Sequence, residues 1–498
     1  MRSLVISLFV GTAVLASVGC TASSPPVAVP PTSVAPPTAP ATSAPSVKDN
    51  NAPTPEEEST DVESDSKNEP QRQTDGGRTL SADEVVELAL ADIEAYWSTE
   101  FEQVYGMPYT PLAGGLHAYS STTAPPSCGG AVPSFEEVAG NAFYCGADDL
   151  VAWDAEGLIP SLNEKFGSFA IALVFAHEYG HVIQGRLDAL DRLPTIVTEQ
   201  QADCFAGSWT KHVADGKSEK LELLPGALEG GMSALIDLRD PPGRVEAVEE
   251  GAHGNAFDRV NAYQTGFDGG AKACKPLLEE PLDVTEVRFA TRNEADTGGN
   301  MDPAELVRVV PKLLNDYWTN GAKETGLRFD PIGEVKPYTR TDAVVCNGKR
   351  LSEQAITNEI FVCVPDSYVA FDQEIGVAVY REIGDWALAT LLSKQWVAAI
   401  QAQNGIDDTT KIAQLEGACF SGSFSRAMVD GVETDIDGKI GTFSLSAGDL
   451  DEAVITYLVY SEQASSANPE ALSSFARVRA FRTGFFQGEQ ACLNLTAG

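Results

Sequence analysis

The chain has 498 residues, 43% of them hydrophobic, which is enough for two or three domains with packed cores. Against 34 Lys and Arg stand 72 Asp and Glu, a formal charge of -38. An acidic excess spread over most of the chain excludes a sequence-independent grip on nucleic acid or anionic lipid, and an acidic, soluble surface is expected.

Residues 1–20 have the layout of an export signal: Arg2, a hydrophobic run from Leu4 to Ala16, then Ser17-Val18-Gly19-Cys20. The run is too short to cross a bilayer as a mature helix. A small residue directly before a cysteine resembles the lipobox of bacterial lipoproteins, in which Cys20 would be lipidated and become the mature N-terminus. Ser17 stands where that motif usually has leucine, so simple secretion is the alternative. The expected location is the outward face of the cell membrane, held by the N-terminal lipid, or outside the cell if Cys20 carries none. Residues 21–79 read as a disordered linker, Pro/Ala/Ser/Thr-rich to about Val47 and strongly acidic from Glu56 to Glu69. Folding should begin near Leu80, where Ser81-Ala82-Asp83-Glu84 reads as a helix start.

Eight further cysteines fall into two sets of four: Cys128, Cys145, Cys204, Cys274, then Cys346, Cys363, Cys419, Cys492. The sets recur at offsets of 218, 218, 215 and 218 residues, and flanking text recurs with them. Phe143, Cys145, Asp148, Val151 and Asp154 match Phe361, Cys363, Asp366, Val369 and Asp372, while Thr265-Gly266-Phe267 matches Thr483-Gly484-Phe485. Two homologous domains are implied, 80–280 and 301–498, joined by a linker over 281–300. An even cysteine set in an exported chain points to disulfides, and retention of each pair as a unit gives Cys128–Cys145, Cys204–Cys274, Cys346–Cys363 and Cys419–Cys492. Each domain is expected to be α+β: an N-terminal helix, short strands near the first disulfide (Val151-Ala152-Trp153 among them), two long helices, and a C-terminal helix tied back by the second disulfide.

The chemistry lies in the apolar run from Phe169 to Ile183, which contains His177-Glu178-Tyr179-Gly180-His181. On a helix this spacing puts both imidazoles on one face, able to clamp zinc, with the glutamate beside the metal's open position. Eighteen residues after His181 comes Glu199-Gln200-Gln201-Ala202-Asp203. Glu199 can supply a third ligand, and Asp203, on the same helix face, can accept a hydrogen bond from a ligating imidazole. Glu178 would act as general base on the attacking water and pass the proton to the leaving amine.

These motifs, with Cys204-Phe205-Ala206-Gly207, His253-Gly254, Arg259 and Thr265-Gly266-Phe267, resemble the bacterial putative neutral zinc metallopeptidase family over roughly residues 80–280. The resemblance implies a zincin-like domain with Zn2+ on His177, His181 and Glu199, Glu178 as the catalytic residue, and a peptide or protein substrate. Val182 stands where the family often has another histidine.

The second copy is an internal control. His177, Glu178 and His181 fall opposite Lys394, Gln395 and Ala398, and Glu199 and Asp203 opposite Gln414 and Ala418. Cys204, Phe205, Gly207 and Ser208 keep their types at Cys419, Phe420, Gly422 and Ser423. Scaffold positions survive and metal-site positions do not, the pattern of a pseudoenzyme domain. His253, opposite Ala471, is a candidate donor to the oxyanion, with a structural histidine bonded to backbone equally open. His117 and His212 have no partner spacing and read as solvated or capping residues. The rival reading is a non-catalytic envelope interaction protein with a structural zinc. It is disfavoured because a closed site wants a fourth protein ligand.

Overall fold

The computed structural model describes residues 5–7, 73–75, 78–190, 193–243, 253–285, 287–357, 359–436, 438–460 and 472–496. The expected export signal apart from residues 5–7, the lipidation position Cys20, nearly all of the linker and Ala471 lie outside the described residues.

Helix α1 (Ala82–Tyr105) begins with a reciprocal cap: the Glu84 N–H donates to Ser81 Oγ at 3.3 Å while Glu84 Oε2 accepts the Ser81 N–H at 2.8 Å. It ends at Gly106, whose φ of 71° is the left-handed stop that glycine tolerates. A small mixed sheet follows, built from β1 (Val5–Ser7), β2 (Gly115–Tyr119), β3 (Ala142–Cys145) and β4 (Leu150–Asp154) in the order β1-β3-β4-β2. β3 pairs antiparallel with β4, and β2 runs parallel to β4. Every residue of β3 and β4 is buried, so these strands are short apolar runs without polar alternation.

Five longer helices follow in the first half: α2 (Leu158–Phe166), α3 (Ser168–Arg186), α4 (Thr195–Ala214), α5 (Ala227–Asp237) and α6 (Ala256–Gly269). α3 is buried from Ser168 through Gln184, which explains why its sequence is apolar around its whole circumference. The second half repeats the order: α7 (Pro303–Asp316), β5 (Glu334–Tyr338), β6 (Ile360–Cys363), β7 (Tyr368–Asp372), α8 (Gln373–Glu382), α9 (Asp385–Gln403) and α10 (Lys411–Val429). A hairpin, β8 (Val432–Ile436) with β9 (Lys439–Phe443), intervenes before α11 (Asp449–Val459) and α12 (Ser474–Gln487). Here too the sheet pairs β6 antiparallel and β5 parallel to its central strand β7. The architecture is α+β throughout.

Four disulfides, two in each half, join Cys128 to Cys145, Cys204 to Cys274, Cys346 to Cys363 and Cys419 to Cys492. Bridges of this number are characteristic of chains that fold outside the reducing cytoplasm. Among the described residues no helix is long and apolar enough to cross a membrane.

The halves also pack alike at atomic detail. In α4 against α6, a Cβ on Gly207 would overlap the Tyr263 carbonyl, and one on Gly266 the Cys204 carbonyl. In α10 against α12, Gly422 meets the Phe481 carbonyl and Gly484 that of Cys419 in the same way. Glycine is required here for the close approach of two helices, not for turn geometry. Phe169 stacks on Trp209 at 5.7 Å, and at the matching positions Trp386 stacks on Phe424 at 5.6 Å, an exchange that conserves volume.

Between the halves, α6 faces α12 in self-complementary fashion. Phe257 packs on Phe485 and Phe267 on Phe475, both at 4.7 Å between ring centres. Gln264 and Arg482, which occupy equivalent positions, meet at the centre. One continuous hydrophobic core results, with residues from both halves. Gly266→Ala is expected to destabilise the chain by about 1–3 kcal/mol through overpacking, although alanine is the better helix former. Denaturant unfolding of the full chain measures it.

Candidate metal centre

The site is assembled where α3 crosses α4. A Cβ on Gly180 would lie 2.6 Å from the Ala202 Cα, so glycine lets the two helices approach at this point. His177 and His181 flank Gly180 on α3, and Glu199 and Asp203 flank Ala202 on α4, at the same spacings. The crossing therefore turns two pairs of polar side chains into the gap between helices. All four are at most 1% exposed.

Their contacts are specific. His177 Nε2 lies 3.2 Å from Glu199 Oε2, His181 Nε2 lies 3.4 Å from Glu199 Oε1, and the two Nε2 atoms are 3.2 Å apart. The opposite edge of each ring is held. His177 Nδ1 is 2.7 Å from Asp203 Oδ1, and His181 Nδ1 is 2.9 Å from Gln184 Oε1. Asp203 is itself gripped by Arg259, whose Nε donates to Oδ2 and Nη2 to Oδ1, both at 2.9 Å, while Nη1 donates to the Leu238 carbonyl. Gln184 Nε2 donates to the Thr198 carbonyl, tying α3 to the start of α4.

Charge follows from these contacts. Burial would raise Glu199, but His181 and His177 hold its carboxyl well below the usual carboxylate range. Burial likewise opposes ionisation of Asp203, and Arg259 and His177 override it. Desolvation lowers His177, yet Asp203 and Glu199 on its two nitrogens outweigh this and raise it to about 10, the mark of a position that favours positive charge. Glu178, the next residue on α3, takes no part in this cluster. Its Oε2 accepts the backbone N–H of Tyr144 on β3 at 3.0 Å, and burial pushes its carboxyl up to about 7.

Zinc fits this donor set. Ligands at roughly 2.0–2.1 Å in a tetrahedron stand about 3.3 Å from each other. The two Nε2 atoms, 3.2 Å apart, are at that spacing, and each has a different Glu199 oxygen at 3.2 or 3.4 Å, so the carboxylate spans both imidazoles. Both Glu199 oxygens are buried without a conventional hydrogen-bond partner, as a carboxylate committed to a cation would be. Among the described residues, His177, His181 and Glu199 form a metal-competent group of two imidazoles and one carboxylate.

Residues 55–276 match the profile of a protein family described as "Putative neutral zinc metallopeptidase". That stretch of the chain belongs to this family. The uncharacterized protein Rv2575 of Mycobacterium tuberculosis is 30% identical over 166 residues, covering 28% of this chain and 55% of the relative. The uncharacterized protein YpfJ of Escherichia coli K12 is 27% identical over 235 residues, covering 41% of this chain and 76% of the relative. The match thus spans about half the length of the mycobacterial relative. No solved structure matches the chain.

Within the matched region the remaining candidates are placed as follows. The His253 and Gly254 N–H groups both donate to Asp240 Oδ2, at 2.7 and 2.8 Å. The His253 ring is buried with Nε2 unpaired, near enough to Glu178 and Glu199 for its charge to act on both. His117 bonds the Gly114 carbonyl, and His212 packs on Tyr96. Neither joins the centre, while Tyr179 is buried in the core.

Sequence reasoning missed the roles of Gln184, Asp240 and the Tyr144 N–H, and saw Arg259 only as part of a resemblance. Gln184 and Arg259 escaped for a definite reason: they survive in the second half. Gln401 Nε2 donates to the Ala413 carbonyl as Gln184 does to Thr198, and Arg477 Nη2 turns to Gln414 Oε1 where Asp203 is replaced by alanine. Asp203→Asn, which keeps the shape but not the charge on His177, is expected to weaken zinc binding by roughly ten- to a hundredfold. Chelator competition on the folded variant reads this directly.

Proposed function

We propose that residues 80–280 form a zinc-dependent metalloendopeptidase domain that hydrolyses peptide bonds, and that residues 301–498 are a homologous copy whose site has been lost. The observation that carries the first reading is the three-atom cluster of His177, His181 and Glu199 beside an uncommitted Glu178. A closed structural site would use a fourth protein ligand. Here three ligands are grouped among the described residues, and Glu178 is near enough for the charges of His177 and His181 to act on it, which supports an open, catalytic site.

Bound at these residues, zinc would supply Lewis-acid polarisation of the scissile carbonyl and acidify water near neutral pH. Glu178 takes the proton of the attacking water and delivers it to the leaving amine. Burial raises this carboxyl, which favours holding the proton once it has been taken from water. The Tyr144 N–H holds one Glu178 oxygen on the sheet side, which fixes the other for proton transfer. Asp203 keeps the His177 tautomer that presents Nε2 to the metal, and Gln184 orients His181. His253, its backbone fixed by Asp240, donates to the developing oxyanion through its free ring nitrogen.

The reading for the second half rests on substitution at each site position: Lys394, Gln395, Ala398, Gln414 and Ala418 leave it no ligand set. An exported, lipid-anchored state is supported by the Gly19-Cys20 sequence and the four disulfides. The substrate is then an extracytoplasmic peptide or protein.

The purified chain should contain about one zinc, lost in His177→Ala. Glu178→Gln should retain zinc and lose turnover by roughly 10²–10⁴-fold in a peptide-library cleavage assay run with and without chelator. Full cleavage by that variant overturns the mechanism. Cys20→Ala should move the chain from the membrane to the soluble fraction on cell fractionation.

A further inference from the structure

A second group of buried carboxylates lies in the half that has lost the zinc ligands. Asp385 opens α9, and Asp449 and Glu452 occupy the first turn of α11; they are 5%, 3% and 7% exposed. One oxygen from each lies within 4.8 Å of the others. Some of their oxygens cap backbone: Asp385 Oδ2 accepts Met301 N–H at 2.8 Å, Glu452 Oε2 accepts Trp386 N–H at 2.8 Å, and Asp449 Oδ2 accepts Ser446 N–H at 2.7 Å. Asp385 Oδ1 and Asp449 Oδ1 are buried with no partner. No basic group is among the influences on these three carboxyls. Burial drives all three upward, and repulsion from neighbouring carboxylates adds to it at Asp449 and Glu452, while a hydrogen bond between the Asp385 and Glu452 carboxyls works against the rise at Asp385.

Helix capping alone does not account for the cluster, because the first half does the same capping without charge. Its α3 opens on Ser168, whose Oγ accepts the Gln73 N–H at 3.2 Å as Asp385 accepts that of Met301. α5 and α11 both have 11 residues and both follow a left-handed glycine, Gly226 and Gly448. In that alignment Asp449 and Glu452 stand opposite Ala227 and Gly230. All three carboxylates are thus particular to the second half. Three acidic groups gathered out of water, two with orphaned oxygens, call for a cation between them.

We propose that Asp385, Asp449 and Glu452 form a calcium-binding site in the second half. The donors are all oxygen, which excludes the softer preferences of zinc, and calcium accepts irregular cages of carboxylates at 2.3–2.6 Å. Such a shell is roughly 5 Å across, wide enough for donors that lie within 4.8 Å of one another. Magnesium is smaller, demands regular octahedral geometry and keeps several waters, so it suits a dry protein cage less well.

The site has a structural consequence. Between its two ligands on α11 stands Asp451, which reaches into the first half: its Oδ1 accepts the Phe257 N–H at 3.0 Å and its Oδ2 lies 3.3 Å from Arg239 Nε. Phe257 is in the first turn of α6, the helix that carries Arg259. Calcium on α11 therefore braces the helix that orients Asp203 and His177.

The test uses the full chain, stripped with chelator, reloaded with one equivalent of zinc, and titrated with calcium chloride at neutral pH. We expect one saturable calcium site by calorimetry, a rise of several degrees in Tm, and terbium luminescence sensitised by the adjacent Trp386 and displaced by calcium. Asp449→Asn should remain folded, since it removes a repulsive charge, and should lose all three responses. Absence of calcium binding and of any Tm shift in the wild-type chain at millimolar calcium overturns the proposal in favour of carboxyls that share protons. Undiminished responses in Asp449→Asn overturn it as well, by placing the calcium elsewhere.

Discussion

The metal centre depends on how closely two helices can approach. α3 and α4 touch at Gly180 and Ala202, and this contact brings the side chains on either side of it together across a dry gap. A β-carbon at position 180 would force the helices apart, and Glu199 would no longer reach both imidazoles. The counterpart of Gly180 in the second half is Val397, a branched residue. Loss of the ligands and loss of the close crossing thus go together, which makes the zinc site a property of backbone spacing as well as of side-chain identity.

Around that crossing the charges form a chain. Arg259 fixes Asp203, Asp203 fixes His177, and His177 with His181 holds Glu199 ionised in a place where burial alone would protonate it. Each member is costly to bury alone and acceptable only with its neighbour. Glu178 is outside this chain and keeps the raised carboxyl that burial imposes. The crossing of α3 and α4 therefore holds two glutamate environments with opposite properties, since Glu199 faces cations and Glu178 faces the backbone of β3.

Much of this could be read from the chain. The spacing of His177, His181, Glu199 and Asp203 specified which residues share a face, and recurrence of the cysteines at a near-constant offset gave the four pairings. Ser81 to Glu84 marked the first helix correctly because a reciprocal cap is a local signal. The parts that were not legible are those set by tertiary approach. Nothing in the text of α4 says that Gly207 must admit the Tyr263 carbonyl. The comparison of copies also hid Gln184 and Arg259, because residues that brace the helices in both halves look like scaffold. The acidic cluster of Asp385, Asp449 and Glu452 was invisible for another reason. Asp385 stands more than sixty residues before Asp449 and Glu452, and the three converge only when α9 and α11 pack.

The contact between α6 and α12 has the form of an isologous interface: Phe257 meets Phe485 as Phe475 meets Phe267, and the equivalent residues Gln264 and Arg482 meet on the axis. This is the contact that a two-fold symmetric homodimer makes, here written into one polypeptide. Fusion of two such partners turns a concentration-dependent association into a permanent one, and it releases the copies from having to stay identical. One half carries the metal-competent group of His177, His181 and Glu199, while the other has different residue types at those positions and keeps the helix contacts that hold the two halves together.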